Sequence, residues 1–247
     1  MRLVIDIGNT RIKPAQELAG QLNLGSAIPW RDHSLGDVLH AVCAGIPRPT
    51  AVLVSNVAGP ALAEALVAQV AQHWQLPVEF MQVRPRWAGM QTSYDNPNRL
   101  GVDRWLAALA GFHLAGGAVC VIDAGTALTV DMVTADGTHR GGLIAPGLAL
   151  MARSLTQGTA QLSLDTLTAV DQFATNTRDG ISLGCRDAIA GLLARVAERC
   201  ARDYGGAPRF IVTGGEAEDI RSLSPVALEY VPDLVHRGIV LAADALA

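Results

Sequence analysis

Two short segments of this chain end an apolar run in a carboxylate. Residues 3–8 read Leu-Val-Ile-Asp-Ile-Gly and residues 120–125 read Cys-Val-Ile-Asp-Ala-Gly. Their aspartates, Asp6 and Asp123, stand 117 positions apart in 247 residues. Hydroxyl or amide residues follow in both copies, Asn9-Thr10 in the first and Thr126-Ala127-Leu128-Thr129 in the second. An aspartate at a strand end can hold Mg²⁺ or a metal-bound water. The glycine lets the backbone pass close to a phosphate, and Asn or Thr adds N–H and O–H donors. Two such loops facing each other would clamp a nucleoside triphosphate. Asp-x-Gly is equally an ordinary strand-ending turn. Gly141-Gly142 and Gly214-Gly215 are available to approach an adenine or a ribose.

Residues 94–105 form a second constellation, Tyr-Asp-Asn-Pro-Asn-Arg-Leu-Gly-Val-Asp-Arg-Trp. Asn-Pro marks a turn, so Asp103 falls in the first turn of the following helix. There it can cap the helix or compensate its dipole. It can also be a general base, taking a proton from a substrate hydroxyl during phosphoryl transfer. Arg104 suits a bidentate contact with a substrate carboxylate, and it suits a structural salt bridge. Tyr94 can be a packed surface aromatic. Thr175-Asn176-Thr177 reads as a cap cluster before a long helix, with a substrate hydrogen bond from Thr177 as the other reading. Gly147, Leu148 and Met151, close to Pro146, read as packing.

The elements that must position these residues are those of an α/β protein. Strands are expected over 51–55, 78–83 and 209–213, where β-branched residues cluster. Helices are expected over 60–74, 103–115, 147–156, 179–203 and 235–246. In the helix at 103–115, Leu106, Leu109, Ala110 and His113 share a face. Residues 118–123 and 127–133 read as a hairpin. Pro14 predicts an interruption of the strand that should follow Lys13, and residues 14–50 yield no clear pattern. The Gly116-Gly117 turn divides the chain into two expected domains, 1–117 and 118–247, related by the internal echo.

Composition removes several function classes. Lys and Arg number 19 against 23 Asp and Glu, a net charge of −4 with no basic block, so nucleic acid is not expected as a partner. Aromatic residues are 4% of the chain, too few for a base-stacking platform. The uncharged run at 105–122 approaches the length of a membrane span. His113 and the Gly-Gly pair break it into a helix, a turn and a strand, so no membrane segment is expected. The N-terminus has no signal-peptide pattern. Cys43, Cys120, Cys185 and Cys200 lack zinc spacing and read as core residues of a reducing compartment. The six histidines are scattered, and a transition-metal centre is not expected.

Taken in order, Asp6-Ile-Gly-Asn-Thr10, Gly101-Val-Asp-Arg104, Asp123-Ala-Gly-Thr126 with Asp131, Gly141 to Gly147, Asn176-Thr177 and Thr213-Gly-Gly215 resemble the type III pantothenate kinases. The resemblance runs over residues 1–13 and from about 51 to the C-terminus. It implies two ribonuclease-H-like domains of duplicated topology, as in the actin, hexokinase and heat-shock chaperone superfamily, with an ATP cleft between them. It implies ATP-dependent phosphorylation of pantothenate to 4'-phosphopantothenate, the first step to coenzyme A, with Asp103 as the base. Asp6, Ile7, Gly8, Asn9, Thr10, Arg11, Ile12, Lys13 and Thr126 would hold ATP. Tyr94, Gly101, Val102, Asp103, Arg104 and Thr177 would hold pantothenate. Asp123 would bind K⁺ or NH₄⁺, and Asp6 lies where the family places Mg²⁺. A cytoplasmic homodimer is implied, with pantothenate near the dimer interface. The family ordinarily continues as a strand after Lys13, and here Pro14-Ala-Gln-Glu follows. The rival readings are another small-molecule kinase or phosphatase of the superfamily, and a non-catalytic regulatory relative.

Overall fold

In the computed structural model, residues 1–156, 172–204 and 208–245 are described. The chain runs β1 (Arg2–Ile7), β2 (Arg11–Leu18), β3 (Gln21–Leu24), β4 (Ile28–Pro29), α1 (Leu35–Cys43), β5 (Val52–Asn56), α2 (Pro60–Trp74) and β6 (Val78–Phe80). It continues through β7 (Arg86–Trp87), β8 (Met90–Thr92), a 3₁₀ turn (Pro97–Arg99), α3 (Val102–Ala115), β9 (Val119–Ala124), β10 (Ala127–Val133) and β11 (Thr138–Pro146). It ends with α4 (Leu148–Thr156), α5 (Thr177–Asp203), β12 (Arg209–Thr213), α6 (Ala217–Leu223), β13 (Glu229–Tyr230) and α7 (Leu234–Asp244).

Two compact units result. The first comprises Met1–Leu114, Gly137–Arg140 and Asp233–Ala247, and the second Ala115–Asp136 and Gly141–Pro232. This differs from a single cut at 117. The C-terminal helix α7 packs on β1 and β5 of the first unit, because its apolar residues Leu234, Val235 and Ile239 are buried there. Residue 246, included in the expected helix, lies outside the described residues.

The first unit is built on a sheet of order β3-β2-β1-β5-β6, with β4 also paired to β2. β1 and β2 form an antiparallel hairpin in which Asp6 lies opposite Lys13. β1 and β5 run parallel, with Asp6 beside Ser55. Side chains alternate across the strand. Leu3, Ile5 and Ile7 therefore enter one apolar cluster with α1 and α2, and Asp6 points to the opposite face.

The second unit repeats this plan, with order β13-β12-β9-β10-β11. β9 and β10 form the expected hairpin, and β12 runs parallel to β9 with Thr213 beside Asp123. A hairpin partner on one side and a parallel partner on the other recur around both aspartates. The sequence echo is thus a repeat of topology. Helices α4, α5 and α6 cover one face of this sheet and bury Leu148, Ile189, Leu193 and Ile220 against Cys120, Ile122 and Val130. Residues 138 and 139 of β11, within the first unit, pair with β8.

Several sequence expectations are corrected. Pro14 does not interrupt β2, which continues to Leu18 with Pro14 opposite Ile5. The Pro14 carbonyl accepts from Gly25 N at 2.8 Å, so the backbone polar positions of Pro14 point away from β1. The missing N–H therefore faces Gly25, just beyond the end of β3, and no bond to the central strand is lost. Gly25 leaves room for the ring: a Cβ there would lie 3.1 Å from Pro14 Cγ. Residues 14–50, unreadable by pattern, hold β3, β4 and α1. Helix α3 is buried from Arg104 to Gly111 on all sides, and His113 is exposed, its Nε2 2.8 Å from the Ala88 carbonyl oxygen. A helix enclosed on all sides has no single apolar face to read. Gly141-Gly142 lie within β11. The four cysteines are free and buried, and burial pushes the Cys43 thiol up to about 11. No described helix is long and apolar enough to cross a membrane.

Replacing Pro14 by Ala should lower unfolding free energy by up to about 1 kcal/mol, because the ring fits the native strand and stiffens the unfolded chain. Urea denaturation checks this. A gain in stability would mean that Pro14 strains the strand.

Candidate active site

The Asp6 loop is assembled by partners that local sequence does not reveal. Asp6 is 3% exposed, and its Oδ2 lies 3.2 Å from Lys13 Nζ. The turn between β1 and β2 closes with Gly8 N donating to Arg11 O at 3.0 Å. Its carbonyls are then taken up from outside. Trp30 Nε1 donates to Gly8 O at 2.9 Å, Arg31 Nε to Asn9 O at 2.6 Å and Trp30 N to Thr10 O at 3.2 Å. In a trans peptide the N–H points opposite to the C=O. The amides of Asn9, Thr10 and Arg11 therefore face away from Trp30 and Arg31. Such a turn presents donors to an anion and hides its oxygens.

The second group lies at the start of α3. Gly101 precedes the helix, and the Asp103 carboxylate folds back over it. A Cβ on Gly101 would sit 2.6 Å from Asp103 Oδ1. The same oxygen accepts from Arg104 N at 2.8 Å, which fixes the carboxylate against the helix start. This is a capping interaction and an orienting one together. Arg104 is buried, and its Nη1 donates to Tyr94 Oη at 3.3 Å.

Tyr94 is held in turn by His139, a residue that no sequence motif singles out. His139 is fully buried, and its ring centroid lies 5.9 Å from that of Tyr94 and 6.2 Å from that of Trp105. Ser93 N donates to His139 O at 2.9 Å, and Tyr94 N donates to Thr92 Oγ1 at 3.2 Å. Tyr94 is thus a half-buried aromatic packed on His139. Tyr94, Gly101, Asp103 and Arg104 come together as one group, and Val102 is buried.

In the second unit the Asp123 loop is packed backbone against backbone. Gly147 N donates to Thr126 O at 3.0 Å, and a Cβ on Gly147 would lie 2.2 Å from Gly125 O. Gly214 adopts φ +96°, and a Cβ there would lie 2.3 Å from Ala124 O and 2.6 Å from Asp123 Oδ1. Gly214 is required by this contact with the protein's own backbone, and Gly147 does more than ordinary packing. Glu216, equally without a sequence signal, ties the loop together. Its N donates to Ala124 O at 2.9 Å, and its carboxylate accepts from Leu148 N at 2.8 Å and Ala149 N at 3.1 Å, at the start of α4. Asp131 is buried on β10. Thr177 is the first residue of α5, and Asn176 is its cap, with Oδ1 accepting from Asp179 N at 3.0 Å. Thr177 lines an apolar groove of about 550 Å³ with Met151, Leu155 and Ile181.

Residues 2–199 match the family model of type III pantothenate kinase. The chain belongs to this family. A type III pantothenate kinase of Nitrosococcus oceani is 37% identical over 246 residues, covering 97% of this chain and 92% of that protein. One from Chromobacterium violaceum is 37% identical over 255 residues, covering 99% and 100%. Among solved structures, a Baf family protein from Campylobacter jejuni superposes with a TM-score of 0.63 at 24% identity, over 98% of this chain and 97% of that one. A ROK hexokinase from Thermus thermophilus superposes with a TM-score of 0.51 at 14% identity, over 99% of each. These last two show the fold, which is that of the actin-like ATPases and sugar kinases with its duplicated α/β plan.

For a pantothenate kinase the Gly101 contact is a direct test of the Asp103 position. Gly101→Ala should reduce pantothenate-dependent ADP release by between about 10-fold and 100-fold, since the carboxylate must swing aside. Circular dichroism should show the fold retained. A rate equal to wild type would mean that the Asp103 orientation does not matter.

Proposed function

We propose that this pantothenate kinase uses Asp103 as general base. The carboxylate takes the proton of the primary hydroxyl of pantothenate as that oxygen attacks the γ-phosphorus of ATP. The bond from phosphorus to the β,γ-bridging oxygen breaks, leaving 4'-phosphopantothenate and ADP. This is the first step of coenzyme A biosynthesis. The observation that carries the reading is the carboxylate of Asp103 folded over Gly101 and held by Arg104 N. A base that has only to orient and deprotonate an alcohol needs a fixed position above all.

Arg104 supplies the counter-charge for the carboxylate of pantothenate, and Tyr94 steadies the guanidinium. Thr177 adds a hydroxyl to the same substrate. The Asp6–Lys13 hairpin and Thr126 receive ATP, with the amides of the 9–11 turn and the Lys13 ammonium directed at phosphate oxygens. Asp6 suits Mg²⁺. Its Oδ1 is buried and has no hydrogen-bond partner among the described residues, which a hard, oxygen-seeking cation would satisfy. Bound there, Mg²⁺ would neutralise charge on the transferring phosphates. We assign K⁺ or NH₄⁺ to Asp123, whose carboxylate is an anionic oxygen donor near the end of β9. The enzyme works as a cytoplasmic homodimer.

Asp103→Asn should cut kcat by about 10²- to 10⁴-fold, with ATP affinity unchanged by calorimetry. A parallel loss of ATP binding would make Asp103 a structural residue. Turnover by the wild-type enzyme should be greater in K⁺ than in Na⁺, and Asp123→Ala should abolish that difference. Equal wild-type rates in the two salts would sink the cation assignment.

A further inference from the structure

Helix α7 meets both chemistry-bearing parts of the first unit. On one side it packs on β1 and β5. There His236, 2% exposed, places Nε2 at 2.9 Å from the carbonyl oxygen of Lys13. A carbonyl has no proton to give, so Nε2 carries the hydrogen and donates it. Nδ1 is then the bare nitrogen of a neutral ring, and it has no hydrogen-bond partner among the described residues. Burial holds the His236 pKa below its ordinary value and so favours this neutral form. Asp6, the hydrogen bond to the Lys13 carbonyl and Asp233 pull it the other way, and the Lys13 ammonium charge adds to the lowering.

About 200° around the helix, two residues on, Gly238 lies against α3. A Cβ there would stand 2.1 Å from Leu106 O, so the two helices touch through backbone. Leu106 is within one turn of Asp103. At its far end α7 is tied down by Asp244, which pairs with Arg2, and Arg2 Nε also donates to Glu17 on β2 at 2.8 Å. A leucine at 236 would fill the same place without desolvating a ring. A polar side chain in that position costs free energy unless its hydrogen bond is used.

We propose that α7 is a positioning element of the phosphoryl-transfer machinery, with His236 fixing the backbone of Lys13, and so the Asp6–Lys13 pair, while Gly238 seats the helix that carries Asp103 and Arg104. His236 is a positioning residue and touches no substrate. The inference rests on the assignment of Lys13 to ATP and of Asp103 to the hydroxyl.

The test compares His236→Leu with His236→Gln, whose side-chain N–H can still donate to the Lys13 carbonyl. Both are read by steady-state kinetics and by hydrogen exchange over residues 6–13. The leucine variant should lose about tenfold in kcat, with the KM for pantothenate within about twofold of wild type. Its exchange over residues 6–13 should speed up with the rest of the chain unchanged. The glutamine variant should restore most of both. Unchanged exchange over residues 6–13 in the leucine variant, or a glutamine variant no better than leucine, would overturn the proposal. Should the leucine variant not fold, His236→Asn puts the same question with a donor too short to reach. If wild type fails to turn over pantothenate but the leucine variant still loosens residues 6–13, the substrate assignment fails and the clamp on Lys13 stands. Normal turnover in wild type with unaltered exchange in the leucine variant keeps the substrate assignment and removes the clamp.

Discussion

The first unit depends on a carboxylate buried at the end of an apolar strand. Asp6 sits between Ile5 and Ile7, both inaccessible to solvent, and is itself almost sealed from water. A charge in that position is tolerated only with a partner close by. Lys13 supplies it from the opposite strand of the hairpin, at the register position facing Asp6. That pairing leaves no freedom in the hairpin. A slip of one residue would turn Lys13 into the apolar cluster and Ile12 out of it. The turn that follows is then placed by the register, and Trp30 and Arg31 determine which way its peptides point.

The second unit reaches a similar end by different means. Its loop after Asp123 is held by close approach of backbone to backbone, with glycine at the two positions where a side chain would collide. Glu216 contributes its own N–H to one side of the loop and its carboxylate to the first amides of α4. That carboxylate also meets the positive end of the helix dipole. Loops fixed in this way depend on glycine at the points of contact. The Asp103 carboxylate in the first unit follows the same rule on a smaller scale, since Gly101 is what allows it to fold back.

The elements with strong local signals were legible. Helix α2 begins and ends where its pattern does, at Pro60 and Trp74, and the β9–β10 hairpin falls within a residue of the expected 118–123 and 127–133. Elements whose signals are weak or shared with a neighbour were not. Strands β3 and β4 are short and lie toward the edge of the sheet, so their residues alternate too little to be read. Pro14 misled because the cost of a missing N–H depends on which neighbour it faces, and that is a property of the sheet. The packed surroundings of α3 erased the one-sided pattern expected of it. His139 carried no signal because its partners, Tyr94 and Trp105, are tens of residues away.

Residue order alone carries the two aspartate-ending strands, their duplication, the Tyr94-to-Arg104 constellation and the family. All of these are properties of short segments and their succession, in which residue type and spacing suffice. What makes those segments precise arises only when the chain is folded. Folding places Lys13 against Asp6, Trp30 and Arg31 behind the turn, His139 beneath Tyr94, and α7 in the first unit. The physical reason is common to them. Each is a contact between residues separated along the chain, where burial makes a hydrogen bond or a close packing contact necessary, and no local pattern records who the partner is.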